Sequence, residues 1–503
     1  MDVEVLGLRA NTNYIFEVAA MVDGVQKSTQ LSFTTGLGPA LMPEFEVEMV
    51  NNSAMQDGWT WTSAFPYPGF SVDDSDLYWT GSVVLDDSGS PVWALDCKSL
   101  FKGTEWDYLN DHWCGITGTQ SVLNNGRFLV LWNVYGAMVR IENGFCGLAE
   151  VDWSGTIHKM WVSTRDVPRW AIPLLPKNAV EVDTMILNHQ VDQLPNGNLI
   201  GIGFDSQQLQ CDAWGSDEPM TVYGNEIVEF DYASGEVYNR WSMFPILDPC
   251  KSADPIEMSY NGEWTHLNAF DIVEDRNELI VSSFYLGWII AVRYRDDDAG
   301  KSGELLWVMG QAWTNPETNA EYFATLPHFE LVRPDGSTLP PDQDRWDPGQ
   351  HNVGVVPGTN GSKILCFDNS AYNERDMGVP SRLVIYEINR PEATDSPGTA
   401  SVAWSFVDGG MSPFLGGSQA LANGNVLGDF GALASPDATW DNRASWAANN
   451  CNHFRIVEVT PNNDVAFSVK AGGWDDSGEC GDETSTRSWN SYRADRIETP
   501  TFA

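Results

Sequence analysis

The feature that most constrains this chain is that it repeats itself. One unit reads "NHQVDQLPNGNLIGIGFD" and then "NEIVEFDYASGEVYNRWSM". Its echoes are "TQSVLNNGRFLVLW" with "GLAEVDWSGTIHKMW", "THLNAFDIVEDRNELIVSS" with "IIAVRYRDDDAGKSGELLWVMG", "QHNVGVVPGTNGSKILCFDN" with "RLVIYEINR" and "ASVAWSF", and "GSQALANGNVLGDFG" with "HFRIVEVTPNNDVAFSV". Each is a four-stranded meander: an inner strand, an N-G type turn, a second strand, then a hairpin of the form E-x-D-x-x-G. The period runs from the high sixties to the mid eighties, and units of that size close radially into a β-propeller. "LYWTGSVVLDDSGSPVWALD" supplies a further unit, which makes six blades.

Composition agrees with an all-β fold. Helical periodicity is scarce, Gly (45) and Pro (27) are abundant, and the 22 tryptophans suit sheets packed face to face. The 503 residues divide into 1–36, a linker at 37–44, and the propeller at 45–503. The first segment, "VEVLGLRANTNYIFEVAAMVDGVQKSTQLSFTTG", resembles the last strands of a fibronectin type III β-sandwich, with a tyrosine corner at Tyr14.

Charge is lopsided, with 28 Lys and Arg against 70 Asp and Glu, a net of −42. That argues against nucleic acid and anionic membrane surfaces as partners, and it points to solubility, as in a saline habitat. "RYRDDDAG" lacks a Ca²⁺ ligand spacing and reads as a solvated turn. The eight cysteines form no C-x-x-C pair, so they read as disulfides of an oxidising compartment. Cys211–Cys250 and Cys451–Cys480 are the expected staples, Cys97–Cys114 a weaker one, and Cys366 is expected buried and free. No signal peptide or membrane span is present in the sequence, and its opening in mid-domain is compatible with an export signal already removed.

Three of the seven histidines open inner strands: His189, His266 and His351. Inner strands line the channel, so three imidazoles are expected at one mouth. Strand alternation places Asn268 beside His266 and brings Gln120 and Gln419 near the same ring. Three imidazoles can bind a metal, hold an anion when protonated, or supply a nucleophile or base. No cofactor is expected, a channel metal or structural Ca²⁺ staying open.

"LPNGNL" after His189, "EWTHLNA" around His266, "QHNVG…ILCFDN" around His351 and the tail "SYRADRI" resemble the arylsulfotransferase family over nearly the whole chain. The resemblance implies a secreted or periplasmic six-bladed propeller that moves a sulfuryl group between phenols without a nucleotide donor. It implies His351 as nucleophile through a sulfohistidine, with His266, Asn268 and His189 holding the sulfuryl oxygens or protonating the leaving phenolate. The chain departs from the family at Phe284, where an arginine in an S-S-R run is expected, and at Gln190, where an acid often follows the first histidine. Arg345 and Arg493 are candidate replacements for the lost guanidinium. Tyr285 is a candidate proton donor, but alternation forbids both it and Phe284 from lining the channel. Two other classes stand beside this reading: a lyase, isomerase or hydrolase using the histidines for acid–base or metal chemistry on an apolar substrate, and a non-catalytic propeller binding a glycan or protein. Oligomeric state stays open.

Overall fold

The computed structural model describes residues 5–23, 25–39, 41–66, 79–108, 114–116, 121–134, 145–167, 169, 171–214, 218–253, 262–310, 318–337, 346, 349–370, 380–390, 397–433, 452–472 and 488–499. Six sheets of four or five strands form among these residues. From the channel outward, blade II runs Asn188–Gln193, Leu199–Leu209, Met220–Phe230 and Val237–Ser242. Blade III runs Leu267–Val273, Glu278–Ser283, Trp288–Arg293 and Leu305–Gly310. Blades I and IV begin at Cys114–Ile116 and His351–Val355, and each gains a parallel outer strand, Val180–Val182 and Phe329–Leu331.

The ring closes in two places. Blade V begins at Gly417–Ala420 and takes Phe45–Val50 as its outermost strand, paired with Val465–Gly472. Blade VI takes its innermost strand, Ala494–Ile497, from the far end of the chain and pairs it with Trp59–Pro66. Backbone hydrogen bonds thus join residues more than 400 positions apart in two blades, and an open gap with two bare strand edges is avoided.

Blade strands are buried on both faces, which is why "ELIVSS" is apolar or small after its leading Glu278, itself paired with Arg390, and is buried at every position. In blade III, Leu279 and Val281 pack towards blade II, while Ile280 and Ala291 pack towards blade IV. Six apolar clusters arise in this way, one between each pair of neighbouring blades. Trp61, Trp132, Trp161, Trp241, Trp264, Trp288, Trp307 and Trp489 are all at most 2 % exposed. Burying such rings stabilises by at least roughly 1.5–3 kcal/mol each.

Residues 13–34 form a separate hairpin, Asn13–Val22 with Val25–Thr34. Tyr14 Oη accepts the Arg9 N–H at 2.9 Å, five residues upstream, the bond expected of a tyrosine corner. The described residues contain these two strands and no facing sheet. Cys211–Cys250 is a disulfide, Cys97 is disulfide-bonded, and Cys366 and Cys146 are buried thiols outside any disulfide. Cys451 and Cys480 lie outside the described residues. The "RDDDAG" acids are used locally: Asp297 accepts from Asn277, Arg293, Ala299 N and Gly300 N, and Asp296 from Lys301 and Ser302 N. No helix among the described residues is long and apolar enough to cross a membrane.

Candidate active site

His189, His266 and His351 come together at one end of the channel. The rings of His189 and His266 lie 5.1 Å apart, and Phe284 packs on both His266 and His351, at 5.8 and 4.9 Å. A register shift interrupts each of the three inner strands at this level. His189 and His266 sit at φ 57° and 47°, and Asn352, after His351, at 57°. A left-handed backbone costs a non-glycine residue on the order of 1 kcal/mol, and a bulge re-aims the side chain it carries.

The bulges also overturn one expectation. Simple alternation does not carry Asn268 beside His266, because Asn268 is the extra residue in the pairing. Its amide goes to the next blade, Nδ2 donating to Gln350 O at 2.8 Å and Oδ1 accepting from Asn352 N at 3.2 Å. Gln190 does the same to Phe270 N and O, Asn352 donates to Ser418 O, and Gln419 bonds Arg496 N and O. An amide suits this stapling because it offers a donor and an acceptor to a backbone that presents both. In the structure the amides of Asn268 and Gln419 thus join neighbouring blades. Gln120 and Arg345 lie outside the described residues.

A second correction concerns Phe284 and Tyr285. Both rings touch His266, Tyr285 at 4.8 Å. The strand ends at Ser283, and Phe284 to Gly287 form a turn closed by Gly287 N–H to Phe284 O. Alternation applies to a strand, and these residues have left it.

Each histidine has a different partner at Nδ1. For His351 it is Asn369 Oδ1 at 2.8 Å. Asn369 Nδ2 donates to Ser412 O and Leu415 O at 2.7 and 2.8 Å, so its oxygen is the atom facing the ring. Nδ1 of His351 must then carry the hydrogen, and Nε2 carries the lone pair. Burial pushes the His351 pKa down to about 3 against the opposing pull of Asn369, helped by the charges of His266 and Arg493. The ring is a neutral base across the physiological range.

For His189 the partner is Tyr492 Oη at 2.5 Å, the rings stacked at 5.3 Å. Burial holds His189 well below the ordinary histidine range, and the neighbouring charges of His266, His351 and Arg493 add to this. For His266 the partner is the Glu263 carboxylate, whose two oxygens lie 3.0 and 3.1 Å from Nδ1.

Arg493 lies just before the closing strand, against the inner strands of blades II and III. It is 7 % exposed, donating to Gln190 Oε1 at 3.4 Å and Asn268 O at 3.3 Å, with Nε unpaired. Glu263, Asn369 and Tyr492 were not singled out in the sequence. Glu263 and Tyr492 lie in the stretches "EWTHLNA" and "SYRADRI", and Asn369 ends "ILCFDN", so each was on view without a role. Among the described residues, no three His, Cys, Asp or Glu side chains are grouped to hold a metal ion.

Solved structures with a similar arrangement include a protein of unknown function from Bacteroides caccae, at 9 % identity over 80 % of this chain and 93 % of that one, TM-score 0.32. They also include a putative 6-phosphogluconolactonase from Bacteroides uniformis ATCC 8492, at 9 % identity over 82 % and 95 %, TM-score 0.34. Among curated proteins none matches. The profile of the family described as Arylsulfotransferase (ASST) matches residues 49–472, and the chain belongs to that family.

Proposed function

We propose that the protein transfers a sulfuryl group between phenolic compounds, with His351 Nε2 as the nucleophile. The observation that carries this reading is the Asn369–His351 pair: a buried neutral imidazole whose hydrogen is held on Nδ1 leaves Nε2 free to attack sulfur. Phe284 and Tyr285 offer the apolar wall that a phenyl ring needs. Arg493, a buried guanidinium with an unpaired Nε, is the cation nearest in kind to the arginine missing at position 284. His189 is the neutral donor for a sulfuryl oxygen. The Cys211–Cys250 disulfide is in keeping with a secreted or periplasmic setting. The Tyr14 bond supports reading residues 1–36 as part of a fibronectin III-like sandwich, set off by a linker from the propeller at 45–503.

The test is peptide mass spectrometry after brief incubation with para-nitrophenyl sulfate, with His351→Ala as the control. The expected result is a sulfuryl adduct on the His351 peptide and released nitrophenolate, both missing from the variant. A folded wild-type protein with neither would overturn the reading. The Phe284 ring packed on His351 favours the second reading in that case, acid–base chemistry by the same histidines on an apolar substrate.

A further inference from the structure

We propose that Glu263 is the positioning residue that makes His266 the general acid for the departing phenolate and, in the return half-reaction, the general base for the acceptor phenol. This rests on the sulfuryl-transfer reading and divides the labour within that site.

The first support is the difference among the Nδ1 partners. His351 faces an amide oxygen and His189 a phenol, both uncharged, whereas His266 faces a carboxylate with both oxygens in reach. A carboxylate stabilises an imidazolium far more than an amide or phenol does. It also holds the hydrogen on Nδ1 when the ring is neutral, so it is Nε2 that gains and loses the working proton. Of the three rings, His266 is the one equipped to carry charge during the cycle.

The second support is that Glu263 is built in. It is 5 % exposed and sits in a segment sewn to blade II from both sides. Tyr223 N donates to Gly262 O at 2.8 Å and Trp264 N to Tyr223 O at 3.1 Å. Thr265 Oγ1 and Asn225 Oδ1 are 2.8 Å apart, and Leu267 N donates to that same Oδ1. Trp264 lies against Gly224, where a Cβ would stand 2.4 Å from its indole nitrogen. The left-handed backbone at His266 then turns its ring back over the residue three positions earlier.

In the forward half, His351 Nε2 attacks sulfur, the N–S bond forms and the S–O bond breaks. The bonding pair goes to the phenolate oxygen, and the proton on His266 Nε2 follows it. His266 is left neutral, with Nδ1–H on Glu263. In the return half the acceptor phenol gives its proton to His266 Nε2, its oxygen bonds sulfur, and the N–S pair returns to His351. No other reactant is needed.

The test is Glu263→Gln, which keeps the shape and removes the charge. Pre-steady-state release is measured with a series of aryl sulfates whose leaving phenols run from nitrophenol to unsubstituted phenol. All rates fall, and the loss grows with the basicity of the leaving phenol, reaching on the order of 100-fold for phenyl sulfate. An equal loss for every donor would mean a structural role and overturn the proposal. A second measurement stands apart from turnover: ¹⁵N spectra of histidine-labelled protein across pH, in wild type and variant. The titratable groups facing His266 include Glu263, His189 and Tyr285, with His351 near enough to feel the charge of His266. The expected result is Nδ1–H on neutral His266 and a proton at Nε2 retained to higher pH in wild type than in Glu263→Gln. An unchanged titration overturns the dyad even where no aryl sulfate reacts, so its failure is separable from that of sulfuryl transfer.

Discussion

Replacing Asn369 with leucine tests whether the hydrogen on His351 is placed by its neighbour. Asn369 is fully buried and makes three hydrogen bonds of 2.7–2.8 Å, to His351 Nδ1, Ser412 O and Leu415 O. Leucine is close in volume but bonds none of them. Ser412 O retains Ser381 Oγ at 3.3 Å, so two groups lose their partner outright. At about 1–3 kcal/mol for each buried group left unsatisfied, the variant loses on the order of 2–6 kcal/mol of stability. The rate carries a separate loss. Attack on sulfur makes the imidazole cationic, so the Nδ1–H bond to Asn369 strengthens in the transition state, by the difference between a charged and a neutral hydrogen bond, and without it the tautomer is no longer selected. Together these are worth about 1.4–3 kcal/mol, a roughly tenfold to 100-fold slower sulfation. The assay is single-turnover nitrophenolate release at neutral pH, run cold, with circular dichroism to establish that the variant is folded. A folded variant sulfated within about twofold of the wild-type rate would refute the reasoning, because His351 would then hold the reactive tautomer unaided.

Phe284→Arg places a guanidinium between His266 and His351. Added oxyanion stabilisation of about 3 kcal/mol predicts sulfation roughly 100-fold faster, while burial of a charge at a position 6 % exposed lowers the melting temperature; slower sulfation in a folded variant would mean that the apolar wall is itself required. Asp429 is fully buried, and burial raises its pKa from 3.8 to about 7, with Asp495 adding to the shift. The unfolded chain releases that proton near pH 4 and the folded one only near 7, so wild-type stability falls across that window. Asp429→Asn therefore gains on wild type with rising pH, by up to about 4 kcal/mol, and levels off above neutrality; denaturant titrations at pH 4.5 and 8 giving equal differences would refute the shift. Removing the Cys211–Cys250 disulfide, which spans 39 residues, is expected to cost up to about 4 kcal/mol, read as a lower denaturation midpoint in the Cys211→Ser, Cys250→Ser double variant.

The blades were legible because a strand buried on both faces has to be apolar throughout and has to be followed by a turn, and both signals recur with the period. The histidines were legible because the repeat put them at corresponding places. Their partners were not. Glu263 lies three residues before its histidine, Asn369 eighteen after, and Tyr492 303 positions away, just before the strand that closes the ring. Nothing in local periodicity points to such pairings. The placing of Asn268 and Tyr285 failed for one shared reason: the two-residue repeat of a strand was extended through a bulge at one position and past the strand's end at the other. Bulges and turns at the channel mouth are where side chains are aimed, so pattern reasoning is weakest where the chemistry is.

On the proposed reading, three imidazoles of identical chemistry would be a poor catalyst, since sulfuryl transfer by this route needs a base that stays neutral beside an acid that can be charged. The propeller separates them by what each blade and loop presents to Nδ1. Burial keeps His351 and His189 neutral. An amide oxygen, itself locked by two carbonyls, fixes the hydrogen of His351 on Nδ1 and leaves Nε2 bare, a phenol just before the closing strand meets Nδ1 of His189, and a carboxylate from the blade II–III connection gives His266 a counter-charge. The partners come from three different places in the chain, so each can be altered without moving the other two rings. That independence makes Asn369, Tyr492 and Glu263 the positions at which single substitutions would separate the proposed nucleophile, donor and acid.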